Sequence, residues 1–368
     1  MKLVDEFRDK ELARGILARI EEAAGRLERP VRLMEVCGTH TMALFRHGIR
    51  SLMPERVQLL SGPGCPVCVT PTAEVDAAIH LAGRPQTVLA TFGDMMRVPG
   101  SETTLLQERA TGRHVAVVYS PLDALKAAEE RPDHEVVLFG VGFETTAPLV
   151  ASTVLQAQQR QLPNFSVYAA HKLIPPALAA LVASEDVSVD GFICPGHVST
   201  VIGSRPYEFI PQDHGIGCVI AGFEPVDVLE AIWRLLVQVE AQSPKVEIAY
   251  RRAVRPEGNP EALKRLRQAF VTLDAEWRGL GTIPASGLEL REELAEHNAK
   301  ARFDLATKPT ADPPGCRCGD VLRGAAEPVD CAHFGTACTP EQPVGPCMVS
   351  SEGTCAAHYR YGGARPEA

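Results

Sequence analysis

The chain has 368 residues, 45% of them apolar and 23% charged, the balance of a globular protein of about two or three domains. A net charge of −9 argues against nucleic acid or an anionic membrane surface as the main partner. No run of about 18 apolar residues is present, so no membrane span is expected. The opening MKLVDEFRDKELARG carries acids at once and lacks an apolar core, so it is not a signal peptide, and the expected compartment is the cytoplasm.

Residues 5–27 space Phe7, Leu12, Ile16, Ile20 and Leu27 as an amphipathic helix. Apolar runs and helical segments then alternate. VRLMEV (31–36), VQLL (57–60), TVLATF (87–92), VAVVYS (115–120) and EVVLFGVG (135–142) read as strands, with helices at 40–49, 71–82 and 121–131. After a helix at 144–161 come SVYAA (166–170), a helix from Pro175 to Ser184, GFICPG (191–196), GCVIAGF (217–223), a helix at 226–240 and a strand over 245–254. Asn259-Pro260-Glu261 is a capped helix start, and that helix is expected to run to Trp277. Apolar runs without alternation mean strands buried on both faces. With helices between them, the expectation is two doubly wound α/β domains, 1–142 and 143–254, then a third segment, 255–368. From 303 onward breakers dominate and periodic apolar residues fade, so this part needs a staple other than hydrophobic burial.

Cysteine supplies one. Six of the 11 cysteines (Cys316, Cys318, Cys331, Cys338, Cys347 and Cys355) lie in that stretch. In a reducing compartment clustered cysteines are metal ligands or redox thiols rather than structural disulfides. Zinc could staple the tail, but zinc sites favour C-x2-C knuckles, which the tail lacks. The wide, uneven spacing better suits an iron–sulfur cubane, each iron of which takes one thiolate.

Two more cysteine motifs follow strands. Ser-Gly-Pro-Gly-Cys65-Pro66-Val67-Cys68 precedes a helix, whose N-terminus favours a thiolate, and two thiols at this spacing can close a ring reversibly and store two electrons. Half a zinc site is the blander alternative. Glu35-Val36-Cys37-Gly38-Thr39-His40 places a thiol and an imidazole at a strand's C-terminal end, where open α/β sheets bind ligands; they could be nucleophile and base or two ligands of a soft metal. If the two strands are neighbours, Cys37, Cys65 and Cys68 share one sheet edge. Weaker signals are Gly140-Val141-Gly142-Phe143-Glu144-Thr145-Thr146, a poor nucleotide loop without a third glycine or any Lys; Cys194-Pro195-Gly196-His197-Val198-Ser199-Thr200; and His171-Lys172, a strand-end pair able to hold a small anion.

The motifs EVCGTHT (35–41), GPGCPVC (62–68), GFETTAP (142–148), PGHVS (195–199) and CTPEQPVGPCMVSSEGTCAA (338–357) together resemble the HypD family, scaffold factors in the maturation of NiFe hydrogenases. The resemblance implies two α/β domains and a domain holding a 4Fe–4S cluster. It implies work with the small chaperone HypC on an iron that receives cyanide and carbon monoxide, the Fe(CN)2CO unit. HypE, with HypF behind it, would supply cyanide, and the hydrogenase large subunit would be met indirectly. Carried over, Cys37 would hold the iron with His40 beside it. Cys65 and Cys68 would be the redox dithiol between cluster and iron. Of the six tail cysteines, Cys318, Cys331, Cys338 and Cys355 are expected as cluster ligands ahead of Cys316 and Cys347. Such a protein is a redox-active scaffold rather than an ordinary turnover enzyme. The competing reading is a cluster-dependent thiol–disulfide oxidoreductase of the ferredoxin:thioredoxin reductase type.

Overall fold

A computed structural model of the chain describes residues 5–184, 187–305 and 310–362; the ends of the expected segments, 1–4 and 363–368, lie outside them. Two parallel sheets form the frame. The first contains β1 (Val31–Glu35), β2 (Val57–Ser61), β7 (Gly191–Pro195), β8 (Gly217–Ala221) and β9 (Val246–Ile248), in the order β2-β1-β7-β8-β9. The second contains β3 (Thr87–Thr91), β4 (Val115–Val117), β5 (Glu135–Gly140) and β6 (Phe165–Ala169), in the order β4-β3-β5-β6. Every residue of β3, β6, β7 and β8 is buried, which is why these strands read as unbroken apolar runs. Residue 142, expected as a domain boundary, falls between β5 and β6, which are paired neighbours in one sheet.

Helices start where local chemistry satisfies their free N–H groups. Asp9 caps Lys10–Gly25 by accepting from the Leu12 N–H at 2.9 Å, and Thr104 and Ser120 form capping boxes. The helix expected from 259 to 277 is a correction: it spans Pro260–Ala269 and passes directly into β10 (Phe270–Trp277), paired antiparallel with β11 (Gly281–Leu290). The physical reason is tertiary. Phe270 and Trp277 are buried in the hairpin form, and the turn between the strands uses Gly279 and Gly281 at φ +77° and +74°, conformations a helix cannot use. The strand expected over 245–254 shrinks to β9.

Each sheet has a point where the strand order reverses, between β1 and β7 in the first and between β3 and β5 in the second. Ligand crevices of open α/β sheets lie outside the strand ends there. The loops at the first point are those of Cys37 and His197. The cysteine-rich tail packs over both sheets. Its last helix, Thr354–Tyr361, lies on the helix Gly38–Arg46. The Arg97 guanidinium, from the loop after β3, donates to the carbonyls of Pro340 (2.9 Å) and Val349 (3.0 Å). No described helix is long and apolar enough to cross a membrane.

Candidate functional site

The site is built at the end of β1. Glu35 is fully buried, and its carboxylate accepts the Cys37 N–H (3.0 Å) and the Thr41 hydroxyl. Burial outweighs these bonds and raises its pKa to about 7. Cys37 follows in extended conformation as the residue preceding the helix Gly38–Arg46. Its thiol is 8% exposed, and burial, reinforced by the charges of Glu352 and Glu35, pushes it up to about 12, so it rests protonated.

The parallel pairing of β1 with β2 brings the Cys65–Cys68 turn beside Cys37. Gly64 carries the contact: its carbonyl accepts the Gly38 N–H at 2.8 Å, and a Cβ there would stand 2.1 Å from the Cys37 nitrogen. Cys65 and Cys68 form a disulfide, with Cα atoms 5.3 Å apart, at the start of the short helix Pro66–Val69. That helix packs against the tail turn Pro346–Met348, which contains the buried Cys347. The disulfide turn thus touches the Cys37 loop on one side and the tail on the other.

His40 is fully buried. Its Nε2 lies 2.8 Å from the Gly222 carbonyl, which can only accept, so Nε2 carries the proton and Nδ1 presents a lone pair. Nδ1 has no partner among the described residues. Burial lowers the imidazole pKa to about 4, so the ring is neutral. Phe223 stacks on His40 at 4.9 Å and on His197 at 3.9 Å, which brings the PGHVS motif to the same place.

The tail cysteines gather as well. Cys316, Cys318, Cys331, Cys338 and Cys355 line one cavity of about 10 Å3 with Phe334 and Met348, and Cys347 is buried beside Cys318 and Cys355. Gly345 leaves space for the sulfurs: a Cβ there would fall 2.7 Å from both Cys316 Sγ and Cys318 Sγ. Contact with Cys318 and burial push the Cys316 thiol up, whereas donation from Cys318 and Cys347 lowers Cys355 to about 6. Among the described residues, no group of three or more His, Cys, Asp or Glu side chains is arranged to close on a single metal ion. Soft sulfur donors in an apolar setting suit an iron–sulfur group better than a hard cation.

Two residues of the site had no assigned role in the sequence reading. Glu35 stood inside a motif valued for its thiol and imidazole. Glu352 comes from the tail: Thr39 donates to its Oε1 at 2.6 Å, and a Cβ on Gly38 would meet its Cβ at 2.5 Å. The one sequence signal for Glu352 is an acid three residues before Cys355. His171, Lys172 and Glu144 lie elsewhere, lining other cavities.

The HypD family model, described as "Hydrogenase formation hypA family", matches residues 11–362. The chain is 45% identical over 366 residues to the hydrogenase maturation factor HypD of Escherichia coli, covering 98% of each chain. It is 46% identical over 374 residues to HypD of Rhodobacter capsulatus, covering 99% of each. It is 49% identical over 375 residues to the hydrogenase expression/formation protein HupD of Azotobacter chroococcum, covering 100% of this chain and 99% of that one. A match spanning both sheets, the disulfide turn and the cysteine-rich tail places this chain in the HypD family of hydrogenase maturation factors.

Proposed function

We propose that the chain is the scaffold on which, together with HypC, the Fe(CN)2CO unit of NiFe hydrogenase is assembled, with HypE as the cyanide donor and HypF behind it. The cytoplasm is the compartment this role needs. One observation carries the reading: the Cys65–Cys68 turn is packed between the Cys37 loop and the tail cysteines. A redox relay needs that adjacency.

In this reading the Cys37 thiolate holds the cargo iron. Its rest state is a thiol between two carboxylates, Glu35 and Glu352. Burial does most to hold the proton, and the two negative charges that add to it also favour an incoming cation, so iron replaces the proton on sulfur. A second soft donor can come from a cysteine of HypC. His40 offers the lone pair of Nδ1 beside the iron, as a ligand or as a hydrogen-bond acceptor. Closing or opening the Cys65–Cys68 ring moves two electrons and two protons. A 4Fe–4S cluster held by Cys318, Cys331, Cys338 and Cys355 would supply electrons one at a time.

The test is infrared spectroscopy of the complex with HypC, prepared without oxygen. Bands of bound cyanide and carbon monoxide should appear, and Cys37→Ser should abolish them while leaving the visible spectrum of the tail cluster unchanged. A serine hydroxyl stays protonated at neutral pH and is a poor donor to soft iron. Bands of wild-type intensity in Cys37→Ser remove Cys37 from the iron. Steady reduction of a protein disulfide without any bands favours the thiol–disulfide oxidoreductase instead.

A further inference from the structure

A second polar cavity lies away from the thiol site, at the C-terminal end of β6, with a volume of about 160 Å3. Tyr168, His171 and Lys172 reach it from β6 and the residues after it. Glu74 comes from the helix Thr72–Ala82, Lys300 from the helix Ala299–Arg302, and β10 and β11 supply the far wall. Small residues (Ala73, Ala169, Ala170, Ala275 and Gly287) leave the space open. Gly140 makes room from behind, since a Cβ there would strike the His171 ring at 2.9 Å.

Three of the polar residues facing this cavity are deeply buried, and several of its polar atoms are unused. Tyr168 is fully buried, and His171 and Lys172 are 1% exposed. Among the described residues, the Tyr168 hydroxyl, Glu74 Oε2 and both ring nitrogens of His171 have no hydrogen-bond partner. Buried polar groups are ordinarily paired, so four unpaired atoms around one cavity mark a place for something that pairs them.

Both lysines of the cavity are already paired. Lys172 Nζ pairs with Glu74 Oε1 at 2.9 Å, and Lys300 Nζ pairs with Glu289 Oε2 at 3.0 Å. An anion would face the free Glu74 oxygen and the Asp274 and Glu276 carboxylates; a cation would face Lys172 and Lys300. Either would meet like charge and compete for lysines and carboxylates that already pair with each other, a cost an uncharged molecule avoids. The unused atoms instead ask for both donors and acceptors. Glu74 Oε2 can only accept. A neutral imidazole donates from one nitrogen and accepts at the other, and a phenol does both. His171 is held neutral by its burial and by the two lysines.

We propose that this cavity binds a small uncharged polar molecule of the amide type, with an N–H that Glu74 Oε2 accepts and a carbonyl to which the Tyr168 hydroxyl donates, the His171 ring lying beside it. The inference is independent of the thiol site.

The experiment uses the full chain, labelled with 15N-histidine, and three isosteric probes: acetamide, acetate and acetamidinium. His171→Gln identifies the His171 ring signals. Acetamide should shift them saturably with a midpoint in the millimolar range, as its few atoms allow. The two charged isosteres should bind about tenfold more weakly or not at all. Tyr168→Phe, which keeps the ring and its packing, should raise the acetamide midpoint about fivefold. The proposal is overturned if acetamide gives no saturable shift, which would leave the cavity to water. It is equally overturned if a charged isostere matches acetamide, or if the midpoint is the same in Tyr168→Phe.

Discussion

Gly64→Ala tests whether the disulfide turn and the Cys37 loop are one packed unit. The added methyl would lie 2.1 Å from the Cys37 nitrogen, 2.4 Å from the Cys37 Cα and 2.4 Å from the Val36 carbonyl carbon. All three are backbone atoms, so no side chain can rotate away, and the two segments must part by about 1 Å to restore ordinary contact. Overpacking of this kind costs about 1–3 kcal/mol, and loss of the 2.8 Å Gly38–Gly64 backbone bond adds about 1 kcal/mol. Gly15→Ala is the control. It sits in the exposed interior of the helix Lys10–Gly25 with nothing within 4 Å of the new methyl, and should stabilise by about 0.5–1 kcal/mol. Urea midpoints measure both effects. Alkylation followed by peptide mass analysis measures access to Cys37, which should rise in Gly64→Ala and stay unchanged in Gly15→Ala. Wild-type stability together with wild-type Cys37 labelling in Gly64→Ala would refute the close-packed junction.

Arg278→Met should destabilise by about 2–4 kcal/mol in the same urea assay, because the Arg278 side chain, buried from solvent, donates to the Thr70 carbonyl (3.1 Å) and pairs with Asp312; a shift below 0.5 kcal/mol contradicts it. Glu144 is raised to about 7 by burial, so its contribution to stability is full below about pH 4.5 and is lost as pH rises through 7. Glu144→Gln should therefore gain on wild type by up to ~3 kcal/mol between pH 5 and pH 8, and a pH-independent difference would count against a buried neutral carboxyl. Anaerobically prepared protein should be brown with about four irons and four sulfides per chain. Cys338→Ala should bleach it and expose the tail to protease, whereas stoichiometric zinc without sulfide would replace the cluster by a zinc staple.

Much of the frame was legible because its strands are buried on both faces. TVLATF and GFICPG carry no charged residue and no polar alternation, and their lengths forbid a helix of ordinary size, so periodicity and length agreed. The failure at 270–277 has the opposite cause. FVTLDAEW follows a well-capped helix and contains enough helix formers to continue it. What stops the helix is pairing with a strand that comes later in the chain, and one-dimensional periodicity carries no record of that partner. The division expected at 142 misses a related fact: the chain leaves the first sheet after β2, builds all of the second, and returns for β7.

The site was legible as three cysteine motifs, two of them on one sheet edge, but its junction with the tail was not legible. Parallel pairing of β1 and β2 could be anticipated from two short strands with one helix between them, and it joins residue 37 to residues 65–68. Nothing in the spacing joins either to the tail. That link is made by side chains with no signature of their own: Gly38 has no Cβ to hold Glu352 away, Thr39 donates to it, and Arg97 ties down the carbonyls of Pro340 and Val349. These contacts have a consequence for the chemistry. Burial keeps the Cys37 thiol protonated, the charge of Glu352 adds to it, and Glu352 lies three residues before Cys355. The tail therefore forms a wall of the Cys37 site, and the two cannot be treated as separate parts.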